Sequence, residues 1–104
     1  MKQHIKHRYS SLQKDILFLL FHYSKRTQNP LPFTALTRML NNGRNQDIYI
    51  TNLRTSCRVL IERGLLLKFR ETNTIRVAYS LSQDGFAVAQ EISQSRLGDP
   101  LIKS

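Results

Sequence analysis

Residues Asp47 to Leu66 read DIYITNLRTSCRVLIERGLL, and the organisation of the whole chain follows from how that stretch folds. Asp47 is of a type that caps helices, the following residues show helical periodicity as far as Arg63, and Gly64 stands where a left-handed residue would close the helix. On a wheel turning by about 100° per residue, Ile50, Leu53, Cys57, Leu60 and Ile61 fall on one side. Thr51, Asn52, Thr55, Arg58 and Glu62 fall on the other, with Arg54 on the flank between. Ile48 and Val59 land on the polar side, where either would meet a partner or a methyl group. A helix of this kind anchors itself by one face and presents the other.

The flanking segments fit around it. Upstream, Ser10 or Ser11 caps a helix carrying Leu12, Ile16, Leu19, Leu20 and Tyr23 and ending near Ser24, before the breaker Asn29-Pro30-Leu31-Pro32. Its apolar arc also takes in Leu17, Phe18 and Phe21, which suits either a central helix packed on several sides or a dimer face. Phe33, Leu36, Met39 and Leu40 then mark a two-turn amphipathic helix, and the polar run Asn41 to Gln46 ends it in a loop. Downstream, Leu65 to Arg70 and Ile75 to Leu81 read as a hairpin with the polar tip Glu71-Thr72-Asn73-Thr74. Ser82 caps a last helix through about Arg96, bearing Phe86, Val88, Ala89 and Ile92, and Gly98-Asp99-Pro100 ends it. The expected fold is α+β: three helices, a β-hairpin and a C-terminal helix. Residues 1–9 form a basic arm, 10–97 the domain and 98–104 a tail.

A chain of 104 residues with 40% apolar side chains supplies one core. Sixteen Lys and Arg against seven Asp and Glu give a net charge of +9, which points to a polyanionic partner. Residues 1–81 carry +10 and residues 82–104 carry −1, so the last helix has a different task. The longest apolar run, Ile16 to Phe21, is far too short to cross a bilayer, so no membrane role is expected. Cys57 is the single cysteine, which excludes an intrachain disulfide and fits a reducing, cytoplasmic setting.

Within this layout the two short central helices suit a helix-turn-helix. The string Thr51 to Arg58 followed by Leu60-Ile61-Glu62-Arg63-Gly64-Leu65-Leu66 resembles the end of the recognition helix in winged helix-turn-helix regulators, where it leads into the wing. Tyr79-Ser80-Leu81-Ser82-Gln83-Asp84-Gly85 resembles the segment that leaves the wing in MarR-type and PadR-type bacterial regulators. The resemblance covers roughly residues 10–95. It departs from that pattern in its longer Asn41 to Gln46 connection and in having no long helices that would serve as dimerisation arms.

The resemblance implies a double-stranded-DNA-binding transcriptional regulator, with the helix at 47–63 in the major groove and the wing at 65–81 on the backbone. Thr51, Asn52 and Thr55 match the positions that enter the groove. Their residue types agree, because Asn and Arg pair with base edges, and Arg54 and Arg58 reach bases or backbone. Lys68, Arg70 and Arg76 bracket the hairpin tip, where they would meet phosphates or, alternatively, protect an exposed strand edge. Arg38 and Arg44 are placed to hold flanking phosphates, and Lys2, Lys6 and Arg8 make an arm that either touches a groove or is disordered. Specificity from so small a domain calls for a homodimer, through the first helix or the last.

Catalysis has little support. No close pair of carboxylates is apparent, and Cys57, imaginable as a nucleophile with His22, lies on the apolar stripe as a core thiol would. His4 and His7 lack a third metal ligand, and Gly43, Gly64, Gly85 and Gly98 are isolated, so no phosphate loop forms. No enzyme activity, cofactor or metal is expected. The rival readings are a winged helix used as a protein-interaction module, and a plasmid or phage replication or partition factor.

Overall fold

The computed structural model of the chain describes residues 8–42, 46–70 and 76–98. Lys2, Lys6, His4, His7, Gly43, Arg44, Ile75, the hairpin tip at 71–74 and the tail beyond residue 98 lie outside the described residues.

Ser10 opens α1 (Ser11–Ser24) with a reciprocal capping box: its hydroxyl accepts from the Gln13 amide at 3.1 Å, and the Gln13 side chain accepts from the Ser10 amide at 3.0 Å. Ile16, Leu17, Leu20 and Phe21 of this helix are all buried, with Leu12, Leu19 and Tyr23 packed around them. One side of the broad apolar arc of α1 therefore lies in the core, while Phe18, Leu19 and Tyr23 stay half-buried along a surface groove. Pro30 and the extended backbone of Pro32 end any helical continuation, and Leu31–Pro32 form a two-residue strand, β1, before α2 (Phe33–Asn41). Leu31 drops into the core beside Phe33, Leu36 and Leu40.

The next helix, α3 (Ile50–Glu62), begins later than expected. Asp47 is not its N-cap; Tyr49 is, in an extended conformation and without a side-chain cap. The reason is tertiary. The side-chain carbonyl of Asn41 accepts the Ile48 amide at 2.8 Å, and the Ile48 side chain packs against the core, so the chain from 46 to 49 is held outside the helix. Ile48, expected on the polar side of the helix wheel, lies before the helix and is not on that wheel at all. At the other end the expectation holds. The Leu65 amide reaches the Leu60 carbonyl at 2.9 Å and the Gly64 amide reaches Ile61 at 2.9 Å, with Gly64 at φ +79° in the left-handed region.

Chain reversal at Gly64 sends the backbone directly into β2 (Leu66–Arg70), which pairs antiparallel with β3 (Val77–Leu81). The sheet has a third strand that periodicity did not reveal: β1 pairs with β3, Leu31 opposite Tyr79 and Pro32 opposite Ala78, in the order β1-β3-β2. Pro32 is tolerated because β1 is an edge strand. Then α4 (Gln83–Gly98) is capped by Ser82, whose hydroxyl accepts from the Gly85 amide at 2.9 Å and donates to the Gly64 carbonyl at 2.6 Å. It runs two residues past the expected end at Arg96. Arg96 pairs with Asp15 at 2.8 Å and Ser93 with His22 at 3.1 Å, which ties α4 along α1. Helices α2 and α3 with the β2–β3 hairpin make the expected winged helix-turn-helix arrangement. No helix among the described residues is long and apolar enough to cross a membrane.

Candidate nucleic-acid interface

Leu53, Cys57 and Leu60 are wholly buried and fix α3 against the core. With that stripe inward, the geometry of the helix turns Thr51, Thr55 and Arg58 outward, while Asn52 and Arg54 occupy the two flanks, and all five are exposed. Asn52, expected on the polar face with Thr51, Thr55 and Arg58, thus sits at its edge, because Leu53 next to it is turned inward. Asn52 lines a shallow groove with Ser11, Leu12, Gln46 and Tyr49. The Arg54 guanidinium stacks 4.9 Å from the centre of the Phe33 ring, which holds it at the junction of α3 with the start of α2. Arg58 faces Glu62 one turn on at 4.0 Å, an exposed pair that holds it only weakly.

Register decides where the wing's charges point. Lys68 is opposite Tyr79 and Arg70 opposite Val77, so both lie on the sheet face that carries the buried Tyr79. Tyr79 is hydrogen-bonded to Cys57 of α3. Lys68 and Arg70 thus project on the side of the sheet against which α3 packs, and both are exposed. Arg76, just before β3, is exposed as well, and so is Arg38 in the last turn of α2. Arg44 lies outside the described residues. On the opposite face Leu67 and Phe69 stand exposed beside Ser80 and Ala78.

Cys57 is a packing residue. Burial pushes its thiol from an ordinary 9.0 up to about 12, and the hydrogen bond from Tyr79 offsets only part of that. Burial likewise raises the Tyr79 hydroxyl to about 12. A thiol this far from ionisation is a poor nucleophile at neutral pH. Among the described residues no three His, Cys, Asp or Glu side chains come together as a metal site would require.

Two residues were not among the expected contacts. Tyr49 is 76% exposed and Ile50 43% exposed, at the leading end of α3. Ile50, expected on the buried stripe, fits its period but stands exposed, because the core begins one turn later, at Leu53. Periodicity alone carries no sign of where a core stops.

No protein-family model matches the chain, and no curated protein matches it by sequence. Solved structures do. The adhesin competence repressor AdcR of Streptococcus pyogenes superposes with a TM-score of 0.67 at 20% identity, over 88% of this chain and 60% of that one. ZitR of Lactococcus lactis, a zinc-responsive MarR family member, gives 0.62 at 21% identity over 88% and 56%. MepR of Staphylococcus aureus, a transcription regulator of the multidrug efflux pump MepA, gives 0.66 at 14% identity over 84% and 57%. The chain thus spans less than two thirds of the length of each of these three. At such identities the likeness is one of fold, and the fold is the winged helix-turn-helix of these regulators.

Proposed function

We propose that the protein binds double-stranded DNA and regulates transcription, with α3 in the major groove and the β2–β3 wing on the backbone. The observation that carries this is the outward face of α3. Thr51, Thr55 and Arg58, flanked by Asn52 and Arg54, stand on a helix whose opposite side is fully buried. Short hydroxyls, an amide and guanidinium groups are what base edges and phosphates accept. Lys68 and Arg70 add positive charge on the same side of the sheet, where release of counterions from phosphates supplies affinity. Arg38, Arg76 and Arg44 extend the contact along the backbone.

Each domain offers few base contacts, so the working form is a cytoplasmic homodimer on a pseudo-palindromic site, its half-sites about one helical turn apart. The candidate dimer surfaces are α4, with Phe86 exposed, and the half-buried Phe18, Leu19 and Tyr23 side of α1. The protein-interaction reading has one observation in its favour, the exposed Leu67 and Phe69 on the outer face of the wing. Fluorescence anisotropy with a random-sequence duplex across about 50 to 300 mM salt separates the two. DNA binding requires an affinity that falls steeply with salt and weakens in Asn52→Ala only on a selected site. Absence of binding at the lowest salt refutes it.

A further inference from the structure

We infer that Tyr49 and Ile50 form an apolar edge through which the protein reads thymine, by contact with its 5-methyl group in the major groove. The inference rests on the DNA-binding reading above.

Three observations on neighbouring residues support it. The exposure of Tyr49 and Ile50 is not general looseness of the segment, because Ile48, next to them, is tied by its amide to Asn41 and packed on the core. Nor does the exposed edge serve the helix. Among the described residues both other long helices begin with a serine whose hydroxyl accepts a backbone amide, Ser10 before α1 and Ser82 before α4. At the same position before α3 the chain carries Tyr49, which makes no side-chain cap. A local preference worth having is given up there for a large exposed aromatic ring. Finally, the edge adjoins polar groups suited to a duplex: Thr51 and Asn52 follow it directly, and Arg54 lies one turn beyond Ile50 on the same flank.

The chemistry of the occupant follows. Cations and hydroxyls beside an apolar edge fit a polyanion that also displays an apolar group. In the major groove of a duplex that group is the methyl of thymine, which stands beside the O4 acceptor and distinguishes T from C. Withdrawing one such group from water changes affinity by about fourfold. Ile50, on a helix and stiff at its branched Cβ, is the residue assigned the methyl contact, with Tyr49 exposed beside it in sequence.

The experiment uses the full chain and a preferred duplex selected from a random library. Each thymine is replaced singly by deoxyuridine, which removes the methyl and leaves base pairing intact. Affinities are measured for the native protein, Ile50→Val, Ile50→Ala and Tyr49→Ala. The expected result is one or two thymines per half-site at which the native protein loses about fourfold, Ile50→Val less, and Ile50→Ala nothing. If the native protein binds its site and no uracil substitution separates it from Ile50→Ala, the thymine contact is overturned while DNA binding stands. If Ile50→Ala weakens thymine and uracil duplexes alike, the contact is general, and the methyl assignment is likewise overturned. Absence of binding to any duplex overturns both this inference and the reading beneath it.

Discussion

Replacing Gly85 with Ala will destabilise the protein severely, although local helix preference alone gives the opposite sign. Gly85 lies in the first turn of α4, where Ala is favoured over Gly by about 1 kcal/mol. But a Cβ built on Gly85 falls 1.9 Å from the Leu65 carbonyl oxygen and 2.8 Å from its carbon, both backbone atoms. The start of α4 must move off the corner between α3 and β2. That corner is held by the Ser82 amide on Leu65 at 3.0 Å and by the Ser82 hydroxyl on Gly64 at 2.6 Å. Overpacking of this kind costs about 1 to 3 kcal/mol, and each strained hydrogen bond adds about 1 kcal/mol. With the propensity gain subtracted, the net loss is about 2 to 4 kcal/mol, a large part of the stability of a domain this size. The melting temperature followed by circular dichroism will fall by about 10 °C or more. Gly64→Ala is the control. Nothing lies within 4 Å of its added Cβ, and only the φ of +79° opposes it, at about 1 kcal/mol. A Gly64→Ala protein that melts at or below Gly85→Ala would refute the close-approach reasoning.

Other outcomes follow from the same structure. Tyr49→Ser supplies the missing cap of α3, so thermal melting will rise by several degrees, for a gain of about 1 kcal/mol, while affinity for a selected duplex falls. Loss of both stability and affinity would contradict this. Arg70→Ala with Arg76→Ala will make the plot of log affinity against log salt shallower by about 2, as anisotropy will show. Native Cys57 will resist alkylation at pH 8 unless denaturant is added, because burial holds its thiol protonated up to about 12. The folded value lies above the ordinary 9.0, so this contribution is intact below about pH 9. Above that the unfolded chain sheds a proton that the folded chain keeps. Tyr79 behaves in the same way from 10.0 to about 12, so urea midpoints will fall as pH rises through this range.

Much of this architecture is legible in the sequence because it is local. Helical periodicity identifies α1, α2, α3 and α4, serine marks the starts of α1 and α4, and Gly64 marks the end of α3. The outward placing of Thr51, Thr55 and Arg58 needs only the 3.6-residue repeat and the anchors Leu53, Cys57 and Leu60. What escapes is set by distant partners. Strand β1 has two residues, one of them proline, and is defined by Tyr79 and Ala78 far along the chain. The late start of α3 depends on Asn41 capturing the Ile48 amide seven residues away, against a sequence in which Asp47 is the obvious cap. Whether the apolar arc of α1 is core or interface depends on how many elements surround it, which no wheel records. The motif ending in Gly85 could be recognised by resemblance, but its physical cause, contact with the Leu65 carbonyl, exists only in three dimensions.

The most direct test of DNA recognition by α3 is amide chemical-shift mapping of the full chain as a duplex is titrated in. The expected result is that the largest shifts fall on Ile50 to Arg58 and on Lys68, Arg70 and Arg76, with α4 little changed. Largest shifts along α4, and none on the outward face of α3, would contradict it.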